Sequence, residues 1–222
     1  MIIGVLGQSG SGKDTLADHL VDRYRFQKVS LADPLKRICK EVYGFSDTQL
    51  WGPSEERNKP DLRYPNNKGG FLSPREALQT LGTEWGRGCY EDTWVDYCVS
   101  VAQKVMDGEY YTQAKGLIKR GFVRRLFTRV PEGVVIPDVR FKNEVRKIHR
   151  ANGVIIRLRR EGKDGNLKAG IKNHASEMEQ QSIMDDEVDF VIDVPEGIPA
   201  FKSAINSVFL GIQATGRFKM SA

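Results

Sequence analysis

A glycine-rich stretch near the start of the chain, Gly7-Gln8-Ser9-Gly10-Ser11-Gly12-Lys13-Asp14-Thr15, constrains the fold more than any other feature of the sequence. It follows the apolar run Ile2-Ile3-Gly4-Val5-Leu6, and behind it apolar residues recur at helical spacing as far as about Arg25. One face of that segment can therefore pack on a sheet. A strand, then G-x-x-x-x-G-K, then a helix is the context in which this motif indicates a phosphate-binding loop.

The residue types in this loop suit a polyphosphate. Its glycines allow positive φ and bring backbone N–H groups close to phosphate oxygens, and the helix N-terminus adds a partial positive charge. Lys13 would reach the β- and γ-phosphates as a mobile point charge. We therefore predict that ATP is bound through its phosphates by Gly10, Ser11, Gly12, Lys13, Asp14 and Thr15. The alternative is a glycine-rich turn without a ligand, which would not require strand, spacing, lysine and helix to coincide.

The loop departs from the usual pattern at one position. The residue after Lys13 is normally Ser or Thr, whose hydroxyl binds Mg²⁺, but here it is Asp14, and Thr15 follows. Adenylate-kinase-like sequences resemble this chain in carrying a non-hydroxyl residue there, followed by Thr. The departure indicates a small-molecule kinase, and it leaves open how Mg²⁺ is held.

Length and composition limit the alternatives. The 222 residues fit a single domain, 1–222, with excursions at roughly 44–72, 109–132 and 160–187. No stretch reaches the ~20 apolar residues of a membrane span, so we expect a cytoplasmic protein without a membrane partner. Three cysteines without C-x-x-C spacing suggest neither a disulfide framework nor a zinc site. The net charge of +5 is compatible with nucleic acid or with small phosphorylated ligands.

The rest of the chain alternates strand-like and helix-like segments. Further strands are predicted at Phe26–Leu31, Val134–Asp138, Val154–Leu158 and Val188–Val194. Further helices are predicted to begin near Pro34, Pro74, Thr93, Arg140 and Pro199. Such an order favours a right-handed, mostly parallel sheet. We predict an α/β protein with the P-loop NTPase fold: three α/β/α layers, about five mostly parallel strands, and lid and monophosphate-binding excursions.

Two of these helices have predicted faces. The helix that Asp33 can cap is expected to bury Leu35, Ile38, Cys39 and Val42. The helix that Ser73 caps is expected to turn inward Ala77, Leu78, Leu81 and Trp85. Another side of the same helix carries four polar residues spaced four apart: Arg75, Gln79, Thr83 and Arg87. This side is either a solvated surface or a ligand-binding face. Gly82 favours the second reading, because glycine inside a helix costs about 1 kcal/mol against alanine and is easier to explain if something approaches the backbone.

Charged residues follow two predicted strands. Ligands gather at the carboxyl ends of parallel strands, so Asp138 and Arg140 should lie beside the phosphate loop. Asp138 would hold Mg²⁺ directly or through water; alternatively, it caps the helix that begins near Arg140. Arg159 and Arg160 leave the next strand toward the same side and are candidates for a lid.

With these pieces in place, the sequence resembles the phage deoxynucleoside monophosphate kinases, a branch of the P-loop nucleoside monophosphate kinases. The resemblance rests on the loop Ser11–Thr15, Leu31-Ala32-Asp33-Pro34-Leu35-Lys36, Arg75 through Leu81-Gly82-Thr83, Trp94, and Pro137-Asp138-Val139-Arg140 with Glu144. It implies a deoxynucleotide site lined by Lys36, Arg57, Arg75, Gly82, Thr83 and Trp94. It also implies a catalytic set formed by Lys13, Asp138 and Arg140. The stretch from Tyr110 to Pro131 has no clear counterpart.

The resemblance implies a kinase that transfers the γ-phosphoryl group of ATP, bound with Mg²⁺, to a deoxynucleoside 5′-monophosphate. It leaves open a monomer or a homodimer, and it implies work in the host cytoplasm if a phage encodes the chain. One alternative is a P-loop kinase for another small acceptor, such as dephospho-coenzyme A. Another is a nucleic-acid-binding NTPase, motivated by the basic clusters at 115–129 and 157–172. These clusters fall in predicted loops where a lid would close, which disfavours nucleic acid as a partner.

The histidines fit this interpretation. His19, His149 and His174 form no recognisable nucleophile–base arrangement. A monophosphate acceptor is already largely a dianion at neutral pH and needs no strong general base. His19 and His149 fall on predicted helices, whereas His174 lies in a loop beside basic residues and could approach a ligand.

Overall fold

A five-stranded parallel sheet forms the centre of the molecule. The computed structural model describes residues 1–66, 69–118, 129–160, 180 and 182–216. The strands within this part are β1 (Ile2–Gly7), β2 (Phe26–Lys28), β3 (Tyr110–Thr112), β4 (Gly116–Ile118), β5 (Gly133–Val139), β6 (Val154–Arg159) and β7 (Phe190–Asp193). The sheet has the order β2-β5-β1-β6-β7 with every neighbouring pair parallel, while β3 and β4 form a separate antiparallel hairpin.

Helices surround this sheet. Those in the described residues are α1 (Lys13–Tyr24), α2 (Asp33–Tyr43), α3 (Asp47–Trp51), α4 (Ser54–Asn58), α5 (Pro74–Gln79), α6 (Thr93–Met106), α7 (Lys142–Arg150) and α8 (Ile198–Ala214). A π-helix, Thr80–Arg87, continues α5, and a short 3₁₀ turn spans Asp185–Glu187. Among these helices we find none with both the length and the apolar character that a bilayer span requires.

The side chains of β1 show why there are three layers. Ile2 and Leu6 point to one face, where they pack with residues of α6 and α7, and Ile3 and Val5 point to the other, where they pack with α1 and α8. Successive strand residues face opposite sides of a sheet, and a parallel sheet is covered on both sides. Cys98 is fully buried in the first of these cores. The predicted α/β/α fold with about five parallel strands is confirmed.

The order of strands places β5 beside the phosphate loop. Leu6 near the end of β1 pairs with Val139 at the end of β5. Asp138 therefore lies at the same edge of the sheet as the start of the loop, as predicted from the strand ends.

Helix α2 is less buried than its pattern predicts. Leu35 and Cys39 are buried, but Ile38 is 37% and Val42 65% exposed, so the prediction of four buried residues is wrong for two of them. The elements that contact α2 include α3 and α5, and they cover the side on which Cys39 lies. Ile38 is about 100° around the helix from Cys39, and Val42 lies in the last turn.

The excursion at 44–72 contains regular structure that the sequence pattern does not predict. Helices α3 and α4 lie within it, and Ser46 and Gln49 form a capping box at the start of α3. Beneath them is a small core formed by Cys39, Phe45, Leu50 and Ala77. Each helix has only five residues, so neither is long enough to show a helical period.

Candidate functional site

The phosphate loop has the backbone that its glycines allow. Gly10 and Gly12 have φ of 76° and 101°, in the left-handed region that favours glycine. A Cβ on Gly12 would lie 2.8 Å from the Phe201 ring, so a larger residue does not fit. Gly12 is the N-cap residue of α1, and no side chain caps this N-terminus within the described residues. Ser11 is buried there, and its Oγ has no hydrogen-bond partner among those residues.

The Lys13 side chain folds back onto the phosphate loop. Its Nζ donates to the carbonyl oxygens of Gly7 and Gln8, the second at 2.6 Å. Burial, with Arg140 nearby, lowers the pKa of Lys13 to about 8. Both partners are neutral carbonyls, and a phosphate oxygen would be a stronger acceptor. Gln180, which sequence reasoning missed, donates from Nε2 to the same Gly7 oxygen at 3.0 Å.

The two lid candidates differ in position. Arg160 donates from Nη1 to the Gly10 carbonyl at 3.3 Å, so it touches the phosphate loop. Arg159 instead forms ion pairs with Asp193 at 2.8 Å and Asp185 at 3.0 Å. Of the two, only Arg160 contacts the loop in the described part of the chain.

The carboxylate of Asp138 holds the turn between β2 and α2. Its Oδ1 accepts from the N–H of Leu31 at 2.9 Å, and its Oδ2 accepts from the Ser30 hydroxyl at 2.8 Å and from the N–H of Ala32 at 3.0 Å. Helix α7 begins at Lys142, and the donors to this carboxylate among the described residues belong to the β2–α2 turn and not to α7. The alternative that Asp138 caps the following helix is therefore wrong.

Glu144 caps that helix instead. Its Oε2 accepts from the N–H groups of Arg140 at 2.7 Å and Phe141 at 3.0 Å. Burial, together with the nearby charge of Asp138, raises the pKa of Glu144 to about 7. The same turn brings Arg140 close enough to Lys13 to lower the pKa of that lysine.

Two predicted acceptor-site arginines meet at one side chain. Arg57 and Arg75 donate to Ser54 Oγ from their Nη2 atoms, at 3.2 and 3.3 Å. Arg75 also donates from Nε to Asn58 Oδ1. Lys36 lies close enough for the Arg57 charge to act on it, although burial is the main cause of its lowered pKa. Helices α2, α4 and α5 thus bring these three cations into one cluster, which we call the acceptor-side cluster.

The helix after Ser73 widens where the sequence predicts a regular α-helix. From Thr80 to Arg87 it is a π-helix, whose i→i+5 bonds shift each later side chain around the axis. Trp85 is consequently 55% exposed, and the prediction that it faces inward is wrong. Trp94 Nε1 donates to the Gly82 oxygen at 2.7 Å, and a Cβ on Gly86 would lie 2.3 Å from the Trp94 ring.

The π-helix also separates Arg87 from Arg75. The Arg87 guanidinium lies 3.6 Å from the centre of the Phe141 ring and donates to Asn143 Oδ1 at 3.1 Å. Arg75 lies against α4, so the predicted common face of these two arginines is not formed. Thr83 lies within the π-helix. Its backbone carbonyl oxygen accepts from the N–H of Gly88, the residue that follows this helix.

The described residues offer no cage of protein ligands for Mg²⁺. They contain no group of three or more His, Cys, Asp or Glu placed to hold a metal ion. Both oxygens of Asp138 already accept hydrogen bonds, and the Asp14 side chain is 87% exposed, 3.7 Å from Lys28 Nζ. Thr15 lies in the first turn of α1. The residues present do not fit direct ligation of a metal by several carboxylates.

Two histidines have structural partners. His19 Nε2 lies 2.8 Å from Asn206 Oδ1, and His149 Nε2 lies 2.8 Å from Asp189 Oδ2. His174 lies outside the described residues, as do 119–128 and 161–179, which hold most of both predicted lid stretches. A cavity of about 510 Å³ lies at the amino ends of β6 and β7, away from the phosphate loop, and is lined by His149, Asn152, Gly153 and Asp189.

A parallel sheet with this loop after its central strand defines a P-loop α/β/α protein. The chain is 36% identical over 187 residues to the "Putative deoxynucleotide monophosphate kinase" of Acanthamoeba polyphaga mimivirus, which covers 82% of this chain and 83% of that protein. The chain therefore belongs to the deoxynucleoside monophosphate kinase family. It is also 25% identical over 206 residues to the "Deoxynucleoside-5'-monophosphate kinase" of Escherichia phage T5, over 68% of this chain and 73% of that protein.

No protein-family model matches the chain. Among solved structures, shikimate kinase from Aquifex aeolicus vf5 is similar with a TM-score of 0.47 and 11% identity, over 97% of this chain and 98% of that chain. Dephospho-CoA kinase from Campylobacter jejuni is similar with a TM-score of 0.41 and 12% identity, over 95% of this chain and 96% of that chain.

Proposed function

We propose that the protein transfers the γ-phosphoryl group of ATP to a deoxynucleoside 5′-monophosphate, giving a deoxynucleoside diphosphate and ADP. The observation that carries the proposal is the phosphate loop, where Lys13 binds only neutral carbonyls and the buried Ser11 hydroxyl lacks a partner among the described residues. A buried hydroxyl without a partner costs about 1–3 kcal/mol. Phosphate oxygens would satisfy both groups, and the relatives named above are kinases of this substrate class.

On the donor side, the loop Gly10–Thr15 would bind the phosphates of ATP. Its N–H groups and the start of α1 attract negative charge. Lys13 would move from the carbonyls of Gly7 and Gln8 to the β- and γ-phosphates. Arg160, already in contact with Gly10, would add a second cation on the same side.

On the acceptor side, Lys36, Arg57 and Arg75 would bind the phosphate of the monophosphate. Three cations in one cluster suit a dianion, and arginine can bind two of its oxygens at once. Gly82 and Thr83 would form a wall of this site. Trp94 would support that wall, since it is only 8% exposed and donates to the Gly82 oxygen.

Between the two sides, the protein would align the phosphates and neutralise charge, which is most of what phosphoryl transfer requires of it. Arg140 lies beside Lys13 and would meet the transferring phosphate. Asp138 would hold the turn that leads into Lys36. Mg²⁺ would arrive with ATP and be held mainly by phosphates and water, as this ion often is. Asp138 would be the acidic residue near the loop.

The test is a coupled assay of ADP release with the four deoxynucleoside monophosphates, their ribose counterparts and dephospho-coenzyme A. We expect release to depend on a deoxynucleoside monophosphate. Release only with dephospho-coenzyme A would indicate the other kinase class. ATP hydrolysis that DNA stimulates, without any acceptor, would instead indicate a nucleic-acid-binding NTPase.

A further inference from the structure

A buried carboxylate beside the acceptor-side cluster joins elements that are far apart in the sequence. Asp33 is fully buried. Its Oδ2 accepts from the Tyr111 hydroxyl at 2.8 Å and the Ser30 N–H at 3.0 Å, and its Oδ1 accepts from Trp51 Nε1 at 3.2 Å. Helix α2 begins at Asp33, and its N-cap residue is Ala32. The predicted role of Asp33 as a helix cap is therefore wrong. Its carboxylate instead accepts hydrogen bonds from the β2–α2 turn, α3 and β3.

The bond to Asp33 fixes the plane of the Trp51 indole. The centre of this ring lies 5.7 Å from Lys36 Nζ and 6.0 Å from Lys40 Nζ. These distances are within the range in which a cation is attracted to an aromatic face. Lys40 has a second partner, Asp47, at 2.6 Å. The Lys36 ammonium has the indole but no hydrogen bond or ion pair to any residue that the structure describes.

Lys36 is thus a partly buried cation whose ammonium has no anionic partner in contact within the described part of the chain. Burial lowers its pKa, the charges of Asp33 and Asp138 oppose that shift, and Arg57 adds to it. A cation in this position is stabilised when an anion binds. The affinity of Lys36 for an anion depends on the position of its Nζ, because an electrostatic contact weakens with distance.

The hairpin β3–β4 is tied to the same place. Arg37 donates from Nη1 to the Gln113 oxygen at 2.8 Å and from Nη2 to the Tyr97 hydroxyl at 2.7 Å. Tyr111 is buried, so its hydroxyl reaches Asp33 from inside the protein. This hairpin lies in the stretch for which the family resemblance offers no counterpart.

We propose that Asp33, Trp51 and Tyr111 are positioning residues that hold Lys36 for the phosphate of the acceptor, which rests on the proposed function. Tyr111 keeps the Asp33 carboxylate in place, Asp33 orients the Trp51 indole, and the indole face sets the position of Lys36. The β3–β4 hairpin is then part of the acceptor site, although none of its residues needs to touch the substrate.

The first experiment compares Tyr111→Phe with Tyr110→Phe. The first change removes only the hydroxyl that Asp33 accepts, and the second alters the neighbouring tyrosine, whose side chain is 40% exposed. We expect Tyr111→Phe to raise KM for the deoxynucleoside monophosphate about three- to tenfold, the effect of losing a hydrogen bond to a charged group. KM for ATP should stay within about twofold in both variants, a margin typical of surface changes.

A double-mutant cycle tests whether Tyr111 acts through Lys36. Lys36→Met should raise KM for the monophosphate, and adding Tyr111→Phe should then have little further effect, since coupled residues are not additive. Trp51→Phe keeps an aromatic face and loses the indole N–H. It should likewise raise KM for the monophosphate in the wild-type background and have little effect in the Lys36→Met background. If Tyr111→Phe does not fold, Trp51→Phe takes its place in the cycle.

The outcomes separate this proposal from the proposed function. Full additivity with Lys36→Met, or equal increases of both KM values, would overturn the positioning role. A wild-type protein that phosphorylates no deoxynucleoside monophosphate would overturn the proposed function itself. Calorimetric binding of dGMP and inorganic phosphate to the same variants would still measure whether Tyr111 and Lys36 act together on an anion.

Discussion

The phosphate loop and the acceptor-side cluster are built in opposite ways. In the loop, the groups that would meet a ligand belong to one stretch of nine residues, and Lys13 donates to the backbone carbonyls of Gly7 and Gln8 in that same stretch. In the acceptor-side cluster, Lys36, Arg57 and Arg75 come from three helices, and both arginines are already hydrogen-bonded to α4. The first region is a local structure with groups left to satisfy, whereas the second is assembled by contacts between distant residues.

This difference predicts how each region responds to substitution. A change in the loop should alter chemistry with little effect on the fold, because few other residues depend on the loop side chains. A change on the acceptor side should alter substrate binding and stability together where a side chain also ties elements to each other. Asp138 lies between the two regions and should show both effects.

The largest effect is expected from Lys13→Ala. Removing the charge at the transferring phosphate should lower kcat by about 10²-fold or more, as loss of one such electrostatic contact does. Its hydrogen bonds are to two backbone carbonyls of the same loop and tie no distant elements together, so Tm should change little. Lys104→Ala is the control, since Lys104 is an exposed lysine in the last turn of α6. A folded Lys13→Ala protein with near-normal kcat would end the phosphate-loop interpretation.

A smaller, mixed effect is expected from Asp138→Asn. The amide keeps one acceptor oxygen, but its NH₂ group must face at least one donor among Ser30, Leu31 and Ala32. We expect a loss of about 1–3 kcal/mol in unfolding free energy and a higher KM for the monophosphate. Ser30→Ala, which removes only the hydroxyl donor, should reproduce part of the stability loss. If Asp138→Asn instead changes the Mg²⁺ dependence of kcat and leaves Tm unaltered, Asp138 acts on the metal and not on the turn.

The two arginines test the acceptor side more finely. Arg75→Lys keeps the charge and loses the planar fork, so KM for the monophosphate should rise several-fold, about the cost of one hydrogen bond to a charged group, and more than KM for ATP. Arg87→Lys loses the stacking on Phe141 and the bond to Asn143, so Tm should fall while both KM values stay close to wild type. Equal effects of Arg75→Lys on both substrates would remove Arg75 from the acceptor site.

The same contrast explains what the sequence could predict. The loop, its strand and its helix follow from a local motif, and α6 spans Thr93–Met106 as its period indicates. Buried strands show as apolar runs, so the parallel sheet was also predictable. Each of these features depends on residues that are close together in the chain.

Features that depend on distant partners were not predictable. The three-residue strands β3 and β4 are too short to show a period. The π-helix is contacted by a residue of another helix, since Trp94 donates to the Gly82 carbonyl and its ring lies against Gly86. The bond between Tyr111 and Asp33 joins residues 78 positions apart. For the π-helix, the available sequence signal was Gly82 and Gly86, spaced four apart ahead of Trp94. This pattern indicates close packing, but it does not indicate which type of helix forms.

The smallest effect concerns pH at the turn that carries Arg140. The pKa of Glu144 in the folded protein is about 7, above its ordinary value of 4.5, so the folded state holds a proton that the unfolded state releases between these values. The stability contributed by the protonated carboxyl is complete below about pH 4.5 and is lost as the pH rises toward 7. We expect the free energy of unfolding to fall across this window, by at most about 1.4 kcal/mol per pH unit.

Glu144→Gln isolates this contribution because both N–H groups of the turn donate to one oxygen, Oε2, which an amide can replace. The variant should match wild type near pH 4.5 and be more stable near pH 8, as measured by thermal unfolding at both values. Glu187→Gln is the control of opposite sign: the Met184 N–H and Lys142 lower the pKa of Glu187, so its charge stabilises the fold above its ordinary pKa, and the amide should lower stability near pH 8. Parallel stability curves for wild type and Glu144→Gln would show that folding does not change the pKa of Glu144, and the turn beside the phosphate loop would then carry a negative charge at neutral pH.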